Sequence, residues 1–123
     1  MVSVHWPRNV RAGTTATLLR VDHCNTGDQP ISYRWAEVLE HTPANCPLPT
    51  PVLTRASFDE ATRIGEWPGE QVNLKPGEGT NEAFHETLPS QCHGTVAFTL
   101  IAEPVAHSGG AQRRAIAVNV RPK

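Results

Sequence analysis

Three cysteines (Cys24, Cys46, Cys92) and six histidines are the residues of this 123-residue chain best equipped for chemistry. The neighbours His23-Cys24 and Cys92-His93 each set an imidazole beside a thiol, the donor types of a zinc or copper site or of a nucleophile with its base. On a regular strand, neighbours point to opposite faces, so neither dipeptide can chelate one ion or act as a nucleophile–base pair. The chain has no Cys-x-x-Cys, His-x-His or His-Glu-x-x-His, and its sole methionine is Met1, which removes the blue-copper arrangement of Cys, His and Met near the C-terminus. A metal site would have to be assembled in three dimensions from His23, Cys46 or His93. The ordinary reading of His23 is a hydrogen-bonded histidine of the core or its rim.

Catalytic constellations are equally thin. Asp22 and Cys24 share a strand face, yet nothing in the sequence brings a general base to the thiol. Ser108 lies in His107-Ser108-Gly109-Gly110, without the Gly-x-Ser-x-Gly elbow or its strand-to-helix context. Glu82 and Glu86 would pair on a helix but are spread along a strand, and a chain of this length hardly supplies a glycosidase groove. No glycine-rich phosphate loop occurs. The expectation is a protein that is not an enzyme and needs no cofactor.

The size is that of one domain spanning residues 1–123, with a single core. A net charge of −1 argues against nucleic acid as a partner, and the longest apolar stretch, around Val96–Ala102, is too short for membrane insertion as a helix. Met1 runs straight into Val2-Ser3-Val4-His5-Trp6, so no signal peptide is expected. Charge is unevenly spread. Residues 59–86 hold seven acids against Arg63 and Lys75, and residues 104–123 hold Arg113, Arg114, Arg121 and Lys123 with no acid.

The elements that must position these residues are strands. Val2, Val4 and Trp6 alternate in a first; Thr17, Leu19, Val21 and His23 in a second; Ile31, Tyr33 and Trp35 in a third. Val72 and Leu74 mark a short fourth, and Phe84 and Leu88 a fifth with Glu86 between them. Val96, Phe98, Leu100 and Ala102 alternate in a sixth, and Ile116, Val118 and Val120 in a seventh. Turn residues separate them at Asn25–Pro30, Pro76–Gly79 and Ser108–Gly110. Only Ser57–Arg63 reads as a capped helical turn, with Glu60 three residues after Ser57. The prolines at 43, 47, 49 and 51 predict an extended, polyproline-like edge or connector over 43–51. The expectation is an all-β, antiparallel sandwich of seven to eight strands with a long Pro-rich connection after the third.

Leu19-x-Val21-x-His23-x-Asn25-Thr26-Gly27-Asp28-x-Pro30-Ile31 resembles the B strand, B–C turn and C strand of bacterial and phage immunoglobulin-like domains. Val72-x-Leu74-x-Pro76-Gly77-Glu78 resembles the turn before their strand E. The resemblance covers most of the chain and implies an immunoglobulin-like fold and a non-catalytic role, with no ligand. The antibody-type signature is partial: Cys24 and Trp35 have B–C spacing, but Cys92 opens the sixth strand without a tyrosine two residues earlier. In such a sandwich Cys46 and Cys92 fall at the same end and Cys24 at the other, so Cys46–Cys92 is the candidate disulfide. Three reduced thiols are the alternative.

A small domain without a catalytic site acts through its surface. The candidate interface residues are Val4 and Trp6 on the N-terminal strand, Trp67 in Trp67-Pro68-Gly69, and Arg113 and Arg114 near the C-terminus; for Trp67 the favoured reading is a lid packed over one end of the sandwich. The expected partner is another protein, or further copies of this chain on a larger particle. The foremost expectation is a bacteriophage virion protein decorating a capsid or tail, located on the virion or the cell exterior. The alternatives are an accessory or adhesive domain of a secreted bacterial protein and a small metal-binding sandwich.

Overall fold

The computed structural model describes residues 2–46, 48, 52–105 and 111–123. Eight strands and one helix follow in the order β1 (Val2–His5), β2 (Asn9–Arg11), β3 (Thr15–Cys24), β4 (Ile31–His41), α1 (Arg55–Arg63), β5 (Glu70–Leu74), β6 (Gly79–Thr87), β7 (Gly94–Pro104) and β8 (Gln112–Arg121). They form an immunoglobulin-like β-sandwich. One sheet has the order β1-β3-β6 and the other β2-β8-β7-β4-β5. The inward faces meet in a core that includes Leu19, Val21, Trp35, Phe98, Leu100 and Val118. The period of two in β7 and β8 sends Val96, Phe98, Leu100, Ile116, Val118 and Val120 into that core, each 3 % exposed or less.

The structure corrects four local expectations. In β3 a bulge between Thr17 and Leu19 shifts the register, leaving Thr17 exposed and turning Leu18 inward, so Thr17 does not share the face of Leu19, Val21 and His23. The antiparallel scheme has one exception: β2 runs parallel to β8, pairing with Asn119–Arg121. With one apolar residue in three, β2 carries no alternation to read. The helix begins earlier than Ser57. Thr54 is its N-cap and accepts from the Ser57 N–H, so Ser57 lies inside the first turn. Within the Pro-rich connector, Pro43–Cys46 is a turn closed by Cys46 N–H donating to the Pro43 carbonyl at 2.9 Å, not an extended edge. Pro47, Pro49 and Pro51 lie outside the described residues.

The β3–β4 turn is held by Asn25, which is 4 % exposed. Its side chain donates to the carbonyls of Gln29 and Leu74 and accepts from the Gly27 N–H. Gly77 answers from the β5–β6 turn by donating to the Asn25 carbonyl, and its φ of 81° is one that side-chain-bearing residues rarely adopt.

A second, smaller core lies on the outer face of the five-stranded sheet. The long β4 buries Ala36 and Val38 there, and with Ile101 of β7 they receive Phe58 of α1. The segment between β4 and β5 is thus a cover for one sheet as well as a connection.

Candidate functional site

The sandwich is least closed along the side where β1 faces β8. β1 is paired on one flank only, and the flank of β8 away from β7 is covered over part of its length. β1 pairs with β3, and β2 covers β8 only at Asn119–Arg121. Between them lies an apolar cleft of about 350 Å³ formed by Val2, Ile31, Tyr33, Ala102 and Pro104, among others. It continues into a space of about 210 Å³ that shares Val2, Ala102 and Gln112 and reaches Val4, Arg113 and Arg114. Trp35 and Leu100 form its floor. The guanidinium of Arg114 stacks over the Trp6 ring at 4.8 Å, so one side chain from each sheet closes the far end.

The rim of this side is basic. His5 and Arg8 flank Val4 and Trp6 in an adjoining hollow, and Arg113 and Arg114 stand opposite. Asp22, the nearby acid on β3, already faces His5 and Arg20 at 3.3 and 3.2 Å. Glu103 is ion-paired to Arg34. Among the described residues, neither Arg113 nor Arg114 has a carboxylate within ion-pair distance. Strands β5, with Glu70, and β6, with Glu82 and Glu86, lie at the opposite edges of their sheets.

Of the five candidate interface residues, the structure brings four together: Val4, Trp6, Arg113 and Arg114. Trp67 lies on the outer face of the five-stranded sheet, where it shares a hollow with Arg113 but not with Val4, Trp6 or Arg114. It packs edge-on against Phe58 with ring centres 5.5 Å apart, donates its Nε1–H to the Trp35 carbonyl at 3.2 Å, and lies under the Arg34 guanidinium. The adjoining Gly69 lets this loop lie against β4, since a Cβ there would sit 2.1 Å from the Trp35 carbonyl oxygen. Trp67 therefore covers the outer face of the sheet. Cys46 and Cys92 form a disulfide with Cα atoms 4.4 Å apart, and both are fully buried. Ser108 lies outside the described residues.

His23 is the hydrogen-bonded core histidine that the sequence suggests, and it leads to a group of acids that the sequence reading missed. His23, 2 % exposed, hydrogen-bonds through Nδ1 with the Tyr33 hydroxyl of the facing sheet, and its Nε2 lies 3.5 Å from Glu82. Glu82 meets Glu37 and Glu70, so β6 and β3 of one sheet face β4 and β5 of the other through ionisable groups. Burial, followed by the hydrogen bond and charge of Glu82, pushes the Glu37 carboxyl up to about 8. Burial and Glu82 also raise Glu70, whereas the hydrogen bond from His23 holds Glu82 below the usual range. Burial raises the Tyr33 phenol to about 12, which keeps it protonated.

The linkage has a definite sign. Glu37 and Glu70 bind protons more tightly folded than unfolded, so they destabilise the fold as pH rises above 4.5 towards 8. Glu82 works oppositely and loses its contribution as pH falls below 4.5. The midpoint of thermal unfolding is therefore expected to drop by several degrees between pH 5 and pH 8, about 3–6 °C per kcal/mol at this size. Glu37→Gln, which keeps the hydrogen bonding of the protonated acid, should remove most of that drop. A variant with the wild-type pH slope would show that Glu37 does not carry it.

No protein-family model and no curated protein matches the sequence. Solved structures of Escherichia coli alpha-2-macroglobulin contain a similar fold. The native conformation seen by cryo-EM matches with a TM-score of 0.60 and 18 % identity, over 99 % of this chain and 6 % of that one. A crystal structure of the native protein from domain MG7 to the C-terminus gives 0.59 and 21 %, over 99 % and 16 %. The elastase-activated form gives 0.62 and 19 %, over 99 % and 9 %. At these identities the likeness is one of fold, and the chain spans a small fraction of the length of the proteins it matches.

Proposed function

We propose that this chain is a non-catalytic docking domain that attaches to another protein, or to a larger assembly outside the cell, through the side where β1 faces β8. The observation that carries the reading is the convergence of Val4, Trp6 and Arg114 with an open apolar cleft on one basic side of the sandwich. Apolar lining of that kind supplies affinity, and the arginines at its rim, which no described carboxylate pairs, set orientation and encounter rate. The opposite sheet edges, which carry Glu70 and Glu82, are acidic and stay free of the docked partner.

Two settings supply such an assembly. A bacteriophage capsid or tail decorated by this domain is the first. The second, an accessory domain of a secreted bacterial protein, is favoured by the buried Cys46–Cys92 disulfide. The test is affinity purification from the native source with wild type and a Val4→Glu, Arg114→Glu double variant. Wild type should retain a stoichiometric partner that the variant loses. Capsid or tail proteins in that fraction support the virion setting, and a longer enclosing polypeptide the secreted one. Equal recovery by both proteins, or none by either, contradicts the proposed docking side.

A further inference from the structure

We infer that the docking side takes up an extended strand of a partner polypeptide, apolar at alternate positions and acidic between them, which adds to the free edge of β8; this rests on the docking reading above. The backbone supplies the argument. Asn119 N–H donates to the Arg8 carbonyl and the Arg121 carbonyl accepts from Ala12 N–H, both at 2.9 Å, so the odd-numbered residues of β8 turn their peptide groups away from β7. The β7–β8 register runs without a shift from Gln112 to Val120. Counting back in twos, Arg113, Ala115 and Ala117 present N–H and C=O groups to the same flank, where no described strand pairs with them. An unpaired ladder beside an apolar trough is the geometry of strand addition, in which main-chain hydrogen bonds hold the ligand and alternate side chains select it.

The side chains fix the ligand's pattern. On β8 the even residues face inward, as Ile116 and Val118 show, while Arg113 lies on the outer face. An added strand has the same two faces. Its inward residues would meet the cleft beside Val4 and Ala102, which calls for apolar side chains of valine size. Its outward residue opposite Arg113, which shares a hollow with Trp67, Glu66 and Glu103 but is ion-paired to neither acid, would be a carboxylate, and the next outward residues would stand beside Ala115 and Ala117. The other free edge of this sheet, β5, is only five residues long and lies between Pro68 and Pro76, a form that resists pairing. That contrast places the acceptor edge at β8.

The probe is the peptide acetyl-Ser-Glu-Val-Glu-Val-Glu-Val-Ser-amide, titrated into the full 15N-labelled chain and followed by amide shifts and hydrogen exchange. Saturable binding at or below millimolar peptide should slow exchange at the amides of Arg113, Ala115 and Ala117. Ala115→Pro deletes an outward N–H while sparing the β7 ladder and should weaken binding at least tenfold, with circular dichroism showing the fold retained. Arg113→Glu should lose the glutamate peptide and gain the same peptide with lysines in place of glutamates, a swap that remains decisive if the proline variant does not fold. Absence of saturable binding, protection at β1 or β6 instead, or equal binding by Ala115→Pro would overturn the inference. So would protection of the same amides by self-association without peptide, which would make a second copy the occupant. Native partners recovered equally by wild type and Ala115→Pro would also overturn it while leaving the docking reading in place.

Discussion

Replacing Trp35 with alanine is expected to lower the unfolding free energy by about 3–5 kcal/mol, the range for truncating a large aromatic in a packed core. Trp35 is 4 % exposed and packs edge-on against His23 with ring centres 5.0 Å apart. It thereby ties the centre of β4 to the opposite sheet, and it also floors the cleft. Its Nε1 donates to Glu37 at 3.4 Å, so truncation disturbs the polar cluster as well. Urea denaturation followed by circular dichroism measures the change. A loss below about 1 kcal/mol would mean that the inward face of β4 does not depend on this ring.

Removing the disulfide should have an effect of similar size. Cys46 and Cys92 close a loop with a sequence separation of 46 residues, for which the chain-entropy relation gives about 3–4 kcal/mol. The bond also fixes the turn at Pro43–Cys46 to the start of β7, where Gly94 approaches Pro43 so closely that a Cβ would sit 2.7 Å from its ring. The Cys46→Ala, Cys92→Ala double variant should lose that stability and show a steeper dependence on urea, because the unfolded chain is no longer tethered. Unchanged midpoint and slope in the double variant would show that the tether contributes nothing under those conditions.

How much of this was readable from the sequence depended on whether a feature was local. The core-side alternation of β7 and β8 is regular, with Ile101 of β7 turned onto the second core, and both strands stand where the pattern put them. The Asn25–Pro30 turn was readable for the same reason, because Asn25 and Gly27 bond within their own segment. The bulge at Thr17–Leu19 was not, since Leu18-Leu19 is consistent with either face until β6 fixes the register. The helix start moved from Ser57 to Thr54 because both are good caps, and burial of Phe58 against β4 decides between them. The Glu37–Glu70–Glu82 group comes from three strands far apart in sequence. Its one local sign was an acid inside Trp35-Ala36-Glu37-Val38-Leu39, a run with apolar residues on both strand faces. The docking side was legible in type, through Val4, Trp6, Arg113 and Arg114, but their meeting depends on how the two sheets pack, with the chain passing from one sheet to the other between β1 and β2. Trp67 has the composition of an exposed anchor, and the lid reading of Trp67-Pro68-Gly69 is the one the second core fulfils.

The most direct test of the account is the footprint of this chain in its native assembly, read by a cryo-EM map or by hydrogen exchange before and after release. The account predicts that Val2–Trp6 and Gln112–Ala117 are covered in the assembly and exposed on release, while β5 remains solvated throughout. A chain that occurs in its native source as a free monomer, or one held by β5 and α1 with the β1–β8 side open to solvent, would contradict it.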